Sequence, residues 1–287
     1  MSETAAANTL LDILNKASDW FKARGIDNHR LDAQLLLGHV LGMKRMDLYM
    51  NFDRPLVERE LDRFRALIKR RGAREPLQHL LGETPFRELN LKVDRRALIP
   101  RQETELIVDL VRKHLEPGRP NTILDVGVGA GPIYLSIVKE ITNCTVHGCD
   151  ISADALQLTR ENAAHNGLAA GNLTQSDLFS GIPEGLRFDC IVSNPPYVGE
   201  NERQHLQPEV RDFDPALALF GGSEGWELPS RLIDAAHERL REGGILILEI
   251  GAGQAPVLIA KAASRSWKSL STSPDYSGID RFLLLHK

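Results

Sequence analysis

The sequence is poor in cysteine. Only three of its 287 residues are cysteines, namely Cys144, Cys149 and Cys190, and no two of them form a CxxC pair. An odd number of widely spaced cysteines argues against a disulfide framework. Cys190 lies in an apolar run and is interpreted as a small core residue. We therefore expect a protein of a reducing compartment.

Long apolar runs and excess positive charge are also missing. No segment reaches the roughly 20 apolar residues that span a bilayer. The start, Met1-Ser2-Glu3-Thr4, lacks the features of a signal peptide, so we expect a cytoplasmic protein without a membrane partner. The formal net charge is −4, which argues against a protein that holds nucleic acid by a general positive field. We expect no direct nucleic-acid partner.

The charge that is present is distributed unevenly. Residues 1–80 hold 14 Lys and Arg against 11 Asp and Glu, whereas the remainder holds 21 against 28. Six of the basic residues fall within 63–74. This run fits a solvated helix face and a partner-binding surface equally well.

Apolar spacing divides the chain into parts. Apolar residues at 10–20, 31–41 and 56–67 recur at helical spacing, which predicts a small all-α bundle. From residue 84 the pattern changes to the alternation of a strand, which predicts a β-hairpin linker. We expect a helical domain at 1–83, the linker at 84–97 and the main domain at 98–287.

The main domain alternates strands and helices after Pro120. Strands are predicted at 122–126, 145–149, 173–175, 188–193 and 244–250, and helices at 104–115, 132–141, 153–166 and 230–241. This rhythm predicts an α/β fold with a mostly parallel sheet. Two further strands, at 266–271 and 280–286, are expected as an antiparallel edge pair, which makes a seven-stranded Rossmann-like sheet.

A glycine-rich loop follows the first strand of this sheet. Its residues are Asp125, Val126, Gly127, Val128, Gly129, Ala130 and Gly131. Glycines there allow positive φ and a close approach of a ligand to the backbone, and Pro132 suits the first helical position. The third glycine comes one residue too early for a dinucleotide fingerprint. The loop instead resembles the D-x-G-x-G-x-G loop of class I methyltransferases, which predicts S-adenosylmethionine as cofactor.

Acidic residues end the next two strands. Asp150 comes 19 residues after Gly131, where a carboxylate can accept hydrogen bonds from both ribose hydroxyls, with Ile151 beside it. A simple helix-capping role for Asp150 is the alternative. Asp177 is placed to meet the adenine amino group and Leu178 to lie against the ring, although Asp177 could merely terminate its strand.

The motif Asn194-Pro195-Pro196-Tyr197 follows the strand at 188–193. An amide nitrogen is a poor nucleophile because its lone pair is delocalised. We expect the Asn194 oxygen and the Pro195 carbonyl to accept hydrogen bonds from its two N–H groups, on a turn stiffened by the prolines. Tyr197 offers a flat face to a planar substrate. A plain proline-rich turn is the alternative, and the motif alone does not choose between a nucleobase and a glutamine.

Further segments resemble one family over nearly the whole chain. Residues 75–82 with Phe86 resemble its domain junction, and residues 98–105, Leu-Ile-Pro-Arg-Gln-Glu-Thr-Glu, resemble its L-I-P-R-P-E-T-E signature. Residues 214–225 and Glu249-Ile250-Gly251 with Gln254 also fit. The chain thus resembles the release-factor glutamine methyltransferases (the HemK/PrmC family). Gln102, Val128, Ala130 and Pro132 depart from the pattern, but none of these changes removes a chemically needed group.

The resemblance implies an activity. It implies methyl transfer from S-adenosylmethionine, which leaves S-adenosylhomocysteine, to the glutamine of the Gly-Gly-Gln loop of class I release factors. It requires no metal. The helical domain would help to dock the protein substrate, and Phe86 and Arg101 would join Asn194, Pro195, Pro196 and Tyr197 in substrate binding. A purely structural salt bridge is an equal alternative for Arg101. The first alternative is methylation of a ribosomal-protein glutamine. The second, which is less favoured, is methylation of adenine N6 in DNA, because such an enzyme needs a basic recognition domain.

Overall fold

The N-terminal part of the chain is helical. The computed structural model describes residues 9–116 and 118–287, so the prediction drawn from residues 1–4 lies outside the described residues. The helices are α1 (Leu10–Lys22), α2 (His29–Leu41), α3 (Arg45–Met50), α4 (Glu58–Gly72) and α5 (Leu77–Leu81). In α1, Leu10, Ala17 and Phe21 recur at helical spacing and are buried, and the Thr9 hydroxyl accepts the Asp12 N–H. The three predicted helices are present, whereas the short α3 and α5 were not predicted.

Two compact units divide the chain. Within the described residues, the first unit runs from residue 9 to Gly82 and also takes in the helix Pro208–Phe213, and the second holds the rest. In the first unit Arg71 is buried and pairs with Asp32 at 2.7 Å and with Glu209 at 3.0 Å. Arg70 pairs with Glu75. Arg70 and Arg71 of the basic run therefore form ion pairs within this unit, and a partner-binding role of the run stays a prediction.

The predicted hairpin is present as β1 (Glu83–Phe86) and β2 (Leu89–Lys92). Its alternation points Phe86, Leu89 and Leu91 into a hydrophobic core of the second unit. The hairpin thus packs within that unit. The domain boundaries at 83 and 97 remain a prediction.

After the hairpin the chain follows the predicted alternation of strands and helices. Of the elements below, only the helix Pro208–Phe213 belongs to the first unit. The elements are α6 (Glu105–His114), β3 (Asn121–Val126), α7 (Pro132–Glu140), β4 (Cys144–Asp150), α8 (Ala153–His165), β5 (Leu173–Gln175), β6 (Phe188–Ser193), β7 (Val198–Gly199), a 3-10 helix (Glu200–His205), α9 (Pro208–Phe213), α10 (Ala216–Leu219), β8 (Phe220–Gly222), α11 (Glu227–Arg239), β9 (Leu240–Glu249), α12 (Ala255–Ala262), β10 (Ser269–Pro274) and β11 (Asp280–His286).

Seven of these strands form one sheet in the order β10-β11-β9-β6-β3-β4-β5. The five strands from β9 to β5 are parallel, whereas β11 and β10 are antiparallel, so the predicted fold class is confirmed. The predicted bounds shift at the edges, since β9 begins four residues before residue 244 and β10 begins after Trp267. Trp267 instead packs into the hydrophobic core.

The central strands are covered on both faces. Every residue of β6 is buried, and the two large cores of this unit lie on opposite sides of the sheet. The chain passes from β3 to β4 on one side, while β6 lies on the other side of β3. Such a reversal opens a crevice at the carboxyl ends of the strands. No helix among residues 9–116 and 118–287 is long and apolar enough to cross a membrane.

Candidate active site

The glycine loop connects β3 to α7 at the carboxyl edge of the sheet. Gly127 and Gly129 have φ of +79° and +57°, values that side chains with a Cβ rarely adopt. The Gly129 N–H donates to Asp150 Oδ2 at 2.9 Å. The loop is therefore joined directly to the carboxylate at the end of β4.

Two side chains of helix α8 donate hydrogen bonds to backbone carbonyls of this loop. The Thr159 hydroxyl donates to the Gly129 carbonyl at 2.8 Å, and Asn162 Nδ2 donates to the Ala130 carbonyl at 2.8 Å. Both side chains are fully buried. Sequence reasoning did not find these two residues, because they lie about 30 positions from the carbonyl oxygens that they bind.

Thr159→Val is expected to loosen the loop without changing its chemistry. The isosteric methyl leaves the Gly129 carbonyl without its buried donor, which costs about 1–3 kcal/mol. We expect a matching loss in the free energy of unfolding, measured in denaturant, and weaker cofactor binding. Thr159→Ser is the control and keeps the bond; equal stability of the valine variant and the unmodified protein would show that the bond is unimportant.

A cavity of about 330 Å³ lies at this edge, within the size range of small-molecule sites. It brings together residues of the glycine loop, of the ends of β4 and β5, and of the motif after β6. The predicted site residues that line it are Gly127, Val128, Gly129, Ala130, Asp150, Ile151, Asp177, Leu178, Asn194, Pro195, Pro196 and Arg101.

Asp150 faces the cavity with a carboxylate that backbone donors hold in place. Its Oδ2 accepts the Gly129 N–H and its Oδ1 accepts the Ser152 N–H, each at 2.9 Å. Burial raises the pKa of Asp150, although these N–H groups oppose the rise. Each oxygen keeps a further lone pair, so the group can both cap α8 and accept hydroxyl donors from a ligand.

Apolar side chains also line the cavity after β4 and β5. Ile151 is about half exposed, at 47%, and Leu178 has φ of +49°. Ser176 holds the Leu178 carbonyl through its hydroxyl at 2.8 Å. Asp177 is more than half exposed and lies 3.6 Å from Arg231, so its carboxylate is available to a ligand.

The acceptor side of the cavity is formed by Asn194, Pro195 and Pro196. Asn194 Nδ2 donates to the Thr104 hydroxyl at 3.0 Å, and that hydroxyl donates to Glu249 Oε2 at 2.7 Å. The amide oxygen of Asn194 therefore remains free of the Thr104 contact and can accept a donor.

Arg101 lines the same side and is fixed by an ion pair. Its Nη2 donates to Asp214 Oδ2 at 2.8 Å. The Asp214 side chain is 1% exposed, and burial raises the pKa of its carboxyl against the pull of Arg101. The predicted position of Arg101 beside the pocket agrees with the structure, and Asp214 holds it there.

Two predicted cofactor residues do not reach the cavity. Asp125 is fully buried because β3 is covered on both faces, and burial raises the pKa of its carboxyl to about 8. Gly131 lies at the start of α7, where a Cβ would come within 2.9 Å of Thr159. The first residue is a buried part of the strand end, and the second allows close packing, so their roles in cofactor binding stay predictions.

Two predicted substrate residues also lie elsewhere. Phe86 is 1% exposed and belongs to the hydrophobic core under the hairpin, because alternation in β1 points it inward. The ring of Tyr197 does not line the cavity; its hydroxyl donates to Glu249 Oε1 at 3.3 Å. The contact of its ring with a planar substrate stays a prediction.

The structure adds cavity residues that were not predicted individually. Pro215, Leu217 and Ala218 line it from the long connection after Asn194. Leu217 is 58% exposed, which is unusual for a leucine and leaves an apolar rim. Thr104 was visible in sequence only as part of the signature at 98–105. Within the described residues no cluster of three His, Cys, Asp or Glu side chains could hold a metal.

Two family models match the chain. The model described as the PrmC N-terminal domain matches residues 12–82, and the methyltransferase small domain matches residues 102–210. A methyltransferase structure from Pyrococcus furiosus superimposes with a TM-score of 0.52 at 19% identity, covering 69% of this chain and 89% of that one. This likeness concerns the fold alone.

Curated relatives cover far more of the chain. The release factor glutamine methyltransferase of Geobacter sulfurreducens is 37% identical over 98% of both chains. That of Moorella thermoacetica is 38% identical over 97% of this chain and 99% of its own. Such identity over nearly the full length confirms the resemblance carried by residues 98–105 and 194–197: the chain belongs to the release factor glutamine methyltransferase family.

Proposed function

We propose that this enzyme transfers the methyl group of S-adenosylmethionine to the side-chain amide N5 of the glutamine in the Gly-Gly-Gln loop of class I release factors. One observation carries the proposal. A single cavity is lined both by the glycine loop with Asp150 and by Asn194-Pro195-Pro196. Donor and acceptor can therefore meet in one cavity, which is what in-line group transfer needs.

The residues present fit S-adenosylmethionine. Asp150 has lone pairs left for the ribose hydroxyls, and Ile151 and Leu178 form an apolar surface for the adenine. The glycine loop lets the amino-acid part approach the backbone. When bound, the cofactor supplies a sulfonium-activated methyl group. S-adenosylhomocysteine is the expected product, and we propose that no metal takes part.

The acceptor side suits a carboxamide. Asn194 Oδ1 and the Pro195 carbonyl would accept its two N–H groups, which orients the nitrogen and raises its electron density as the new bond forms. The prolines hold these acceptors before the substrate arrives. Arg101 is held at the same wall by Asp214.

A release factor is the proposed protein partner, as the names of the relatives suggest. The helical first unit is the proposed docking surface. It exposes large apolar side chains on and next to α3, namely Met46, Tyr49, Met50 and Phe52. A patch of this kind is typical of a surface that meets another protein. We propose that no nucleic acid binds directly and that the reaction takes place in the cytoplasm.

The test uses radiolabelled S-adenosylmethionine and four acceptors in parallel. These are a release factor, its Gly-Gly-Ala variant, a ribosomal protein fraction and duplex DNA. We expect label on the unaltered release factor alone. Label on the alanine variant, on ribosomal protein or on DNA would contradict the proposed substrate.

A further inference from the structure

Four side chains form a continuous hydrogen-bonded chain that begins at Asn194 on the acceptor side of the cavity. Asn194 Nδ2 donates to Thr104 Oγ1 at 3.0 Å, Thr104 Oγ1 donates to Glu249 Oε2 at 2.7 Å, and Tyr197 donates to Glu249 Oε1 at 3.3 Å. Thr104 and Glu249 are 2% and 1% exposed. Water therefore has little access to either group, and their partners within the protein determine how they bond.

The chemistry of these groups fixes the direction of each bond. An ionised carboxylate only accepts, so the single proton of the Thr104 hydroxyl must point to Glu249. Thr104 can then only accept from Asn194, which requires the NH₂ end of the amide. The carbonyl end, Oδ1, is left for the cavity. The charge on Glu249 thus determines which end of a nearly symmetric amide the substrate meets.

We propose that Thr104 and Glu249 are positioning residues that hold the Asn194 amide with its oxygen toward the acceptor. We call the hydrogen-bonded chain Asn194–Thr104–Glu249 the relay. It rests on the proposed function of Asn194 as acceptor for the substrate N–H. Tyr197 belongs to it as a second donor to Glu249. The Tyr197 backbone is held in turn, because Gln254 Nε2 donates to its carbonyl at 2.8 Å.

A protonated Glu249 would reverse the relay. Its O–H could donate to the Thr104 hydroxyl, and that hydroxyl would then donate to the oxygen of Asn194. The Asn194 amide would have to turn over, so its NH₂ would face a substrate group that is also an NH₂. Burial raises the pKa of Glu249 to about 7, and Glu103 adds to the rise. The hydrogen bond from Thr104, the charge of Arg281 and the hydroxyl of Tyr197 act against it.

Burial and the neighbouring Glu249 also raise the pKa of Tyr197, so its hydroxyl remains a donor. The ionised form of Glu249 is lost as the pH falls through about 7. Methyl transfer should therefore decline below that pH, although the glutamine amide itself does not titrate there.

Thr104→Val tests the relay directly, with Thr104→Ser as the matched control. The valine keeps the shape but breaks both bonds, so we expect kcat to fall about 100-fold, the scale of a misplaced catalytic group. The Kd of S-adenosylmethionine should change little. The serine variant should stay within about threefold of the unmodified enzyme in kcat, because its hydroxyl restores the chain. Near-normal kcat in the valine variant, or equal loss in both variants, would overturn the relay.

Glu249→Gln separates positioning from a purely structural role. A glutamine removes the ionisable carboxyl but keeps an oxygen that can accept from Thr104, so the decline of kcat below pH 7 should disappear while the melting temperature at pH 8 stays equal or rises. A lower melting temperature with unchanged kcat and pH profile would contradict the proposal.

A measurement without substrate tests the relay independently of the proposed function. The side-chain NH₂ resonances of Asn194, assigned by their loss in Asn194→Ala, should shift with a midpoint near pH 7 in the unmodified protein and not in Glu249→Gln. Absence of that shift would overturn the relay. Absence of methyl transfer by the unmodified enzyme would overturn the proposed function instead.

Discussion

Replacing Asn194 with alanine is expected to lower kcat for release-factor methylation by about 100- to 1000-fold, the range seen when one preorganised polar contact to a reacting group is removed. Asn194 lies at the end of a fully buried strand, and Thr104 holds its amide at 3.0 Å. The acceptor is therefore rigid, and water that enters the truncated site cannot take its place with the same geometry.

Cofactor binding should change much less in this variant. Asn194 also lines the cofactor side of the cavity, but a single neutral hydrogen bond contributes about 1 kcal/mol, or about fivefold in Kd. Isothermal titration with S-adenosylmethionine gives Kd and single-turnover labelling gives the rate. Asn201→Ala, in the 3-10 helix after the motif, is the matched control and should behave as the unmodified enzyme. A parallel collapse of binding and transfer in Asn194→Ala would make Asn194 a cofactor or structural residue.

Replacing Asp150 with alanine is expected to raise the Kd of S-adenosylmethionine by about 100-fold, since two hydrogen bonds to a charged group contribute about 1.5 kcal/mol or more each. The same change removes the acceptor of the Gly129 N–H, which loosens the loop. At saturating cofactor kcat should recover to within a few-fold, because the acceptor wall is untouched.

Asp177→Ala provides the comparison for Asp150→Ala. The Asp177 side chain is 54% exposed, so solvent competes for its bonds and the Kd should rise by less than about tenfold. Titration calorimetry on both variants measures this ranking. A larger effect at Asp177 than at Asp150 would contradict the assignment of the ribose to Asp150.

The parts predicted well from sequence are those set by local spacing. Strand β3, the glycine loop and Pro132 follow one another within a dozen residues, and parallel strands place their carboxyl ends at one edge. This is why Gly127, Asp150 and Asn194 were predicted together and do line one cavity. No local sequence pattern predicts that Pro208–Phe213 belongs to the first unit. Its place there involves the buried ion pair of Glu209 with Arg71, which lie far apart in sequence.

The relay behind Asn194 could not be predicted for a related reason. Thr104 and Glu249 lie 145 positions apart, and Asn194 lies 90 positions from Thr104. Spacing along the chain carries no information on such contacts. Only the resemblance of residues 98–105 and 249–251 to the family signatures marked both segments, without saying what their side chains do.

Two predicted substrate residues lie outside the cavity for physical reasons. Phe86 was assigned from its place in a junction signature, although the alternation of β1 already directs it to the core. Tyr197 was assigned as a flat substrate surface, but its hydroxyl finds a buried carboxylate that the sequence did not place nearby. A buried Tyr hydroxyl needs a partner, and here that partner determines where the ring lies.

Fragmentation mass spectrometry of the methylated release factor tests the central claim most directly. The enzyme is incubated with S-adenosylmethionine and a release factor, and the Gly-Gly-Gln peptide is sequenced in the mass spectrometer. The account predicts one added methyl group on the glutamine side-chain nitrogen, formed about 100- to 1000-fold more slowly when Asn194→Ala replaces the enzyme. A methyl group on another residue or on the main chain, or an unmodified glutamine after complete incubation, would contradict it.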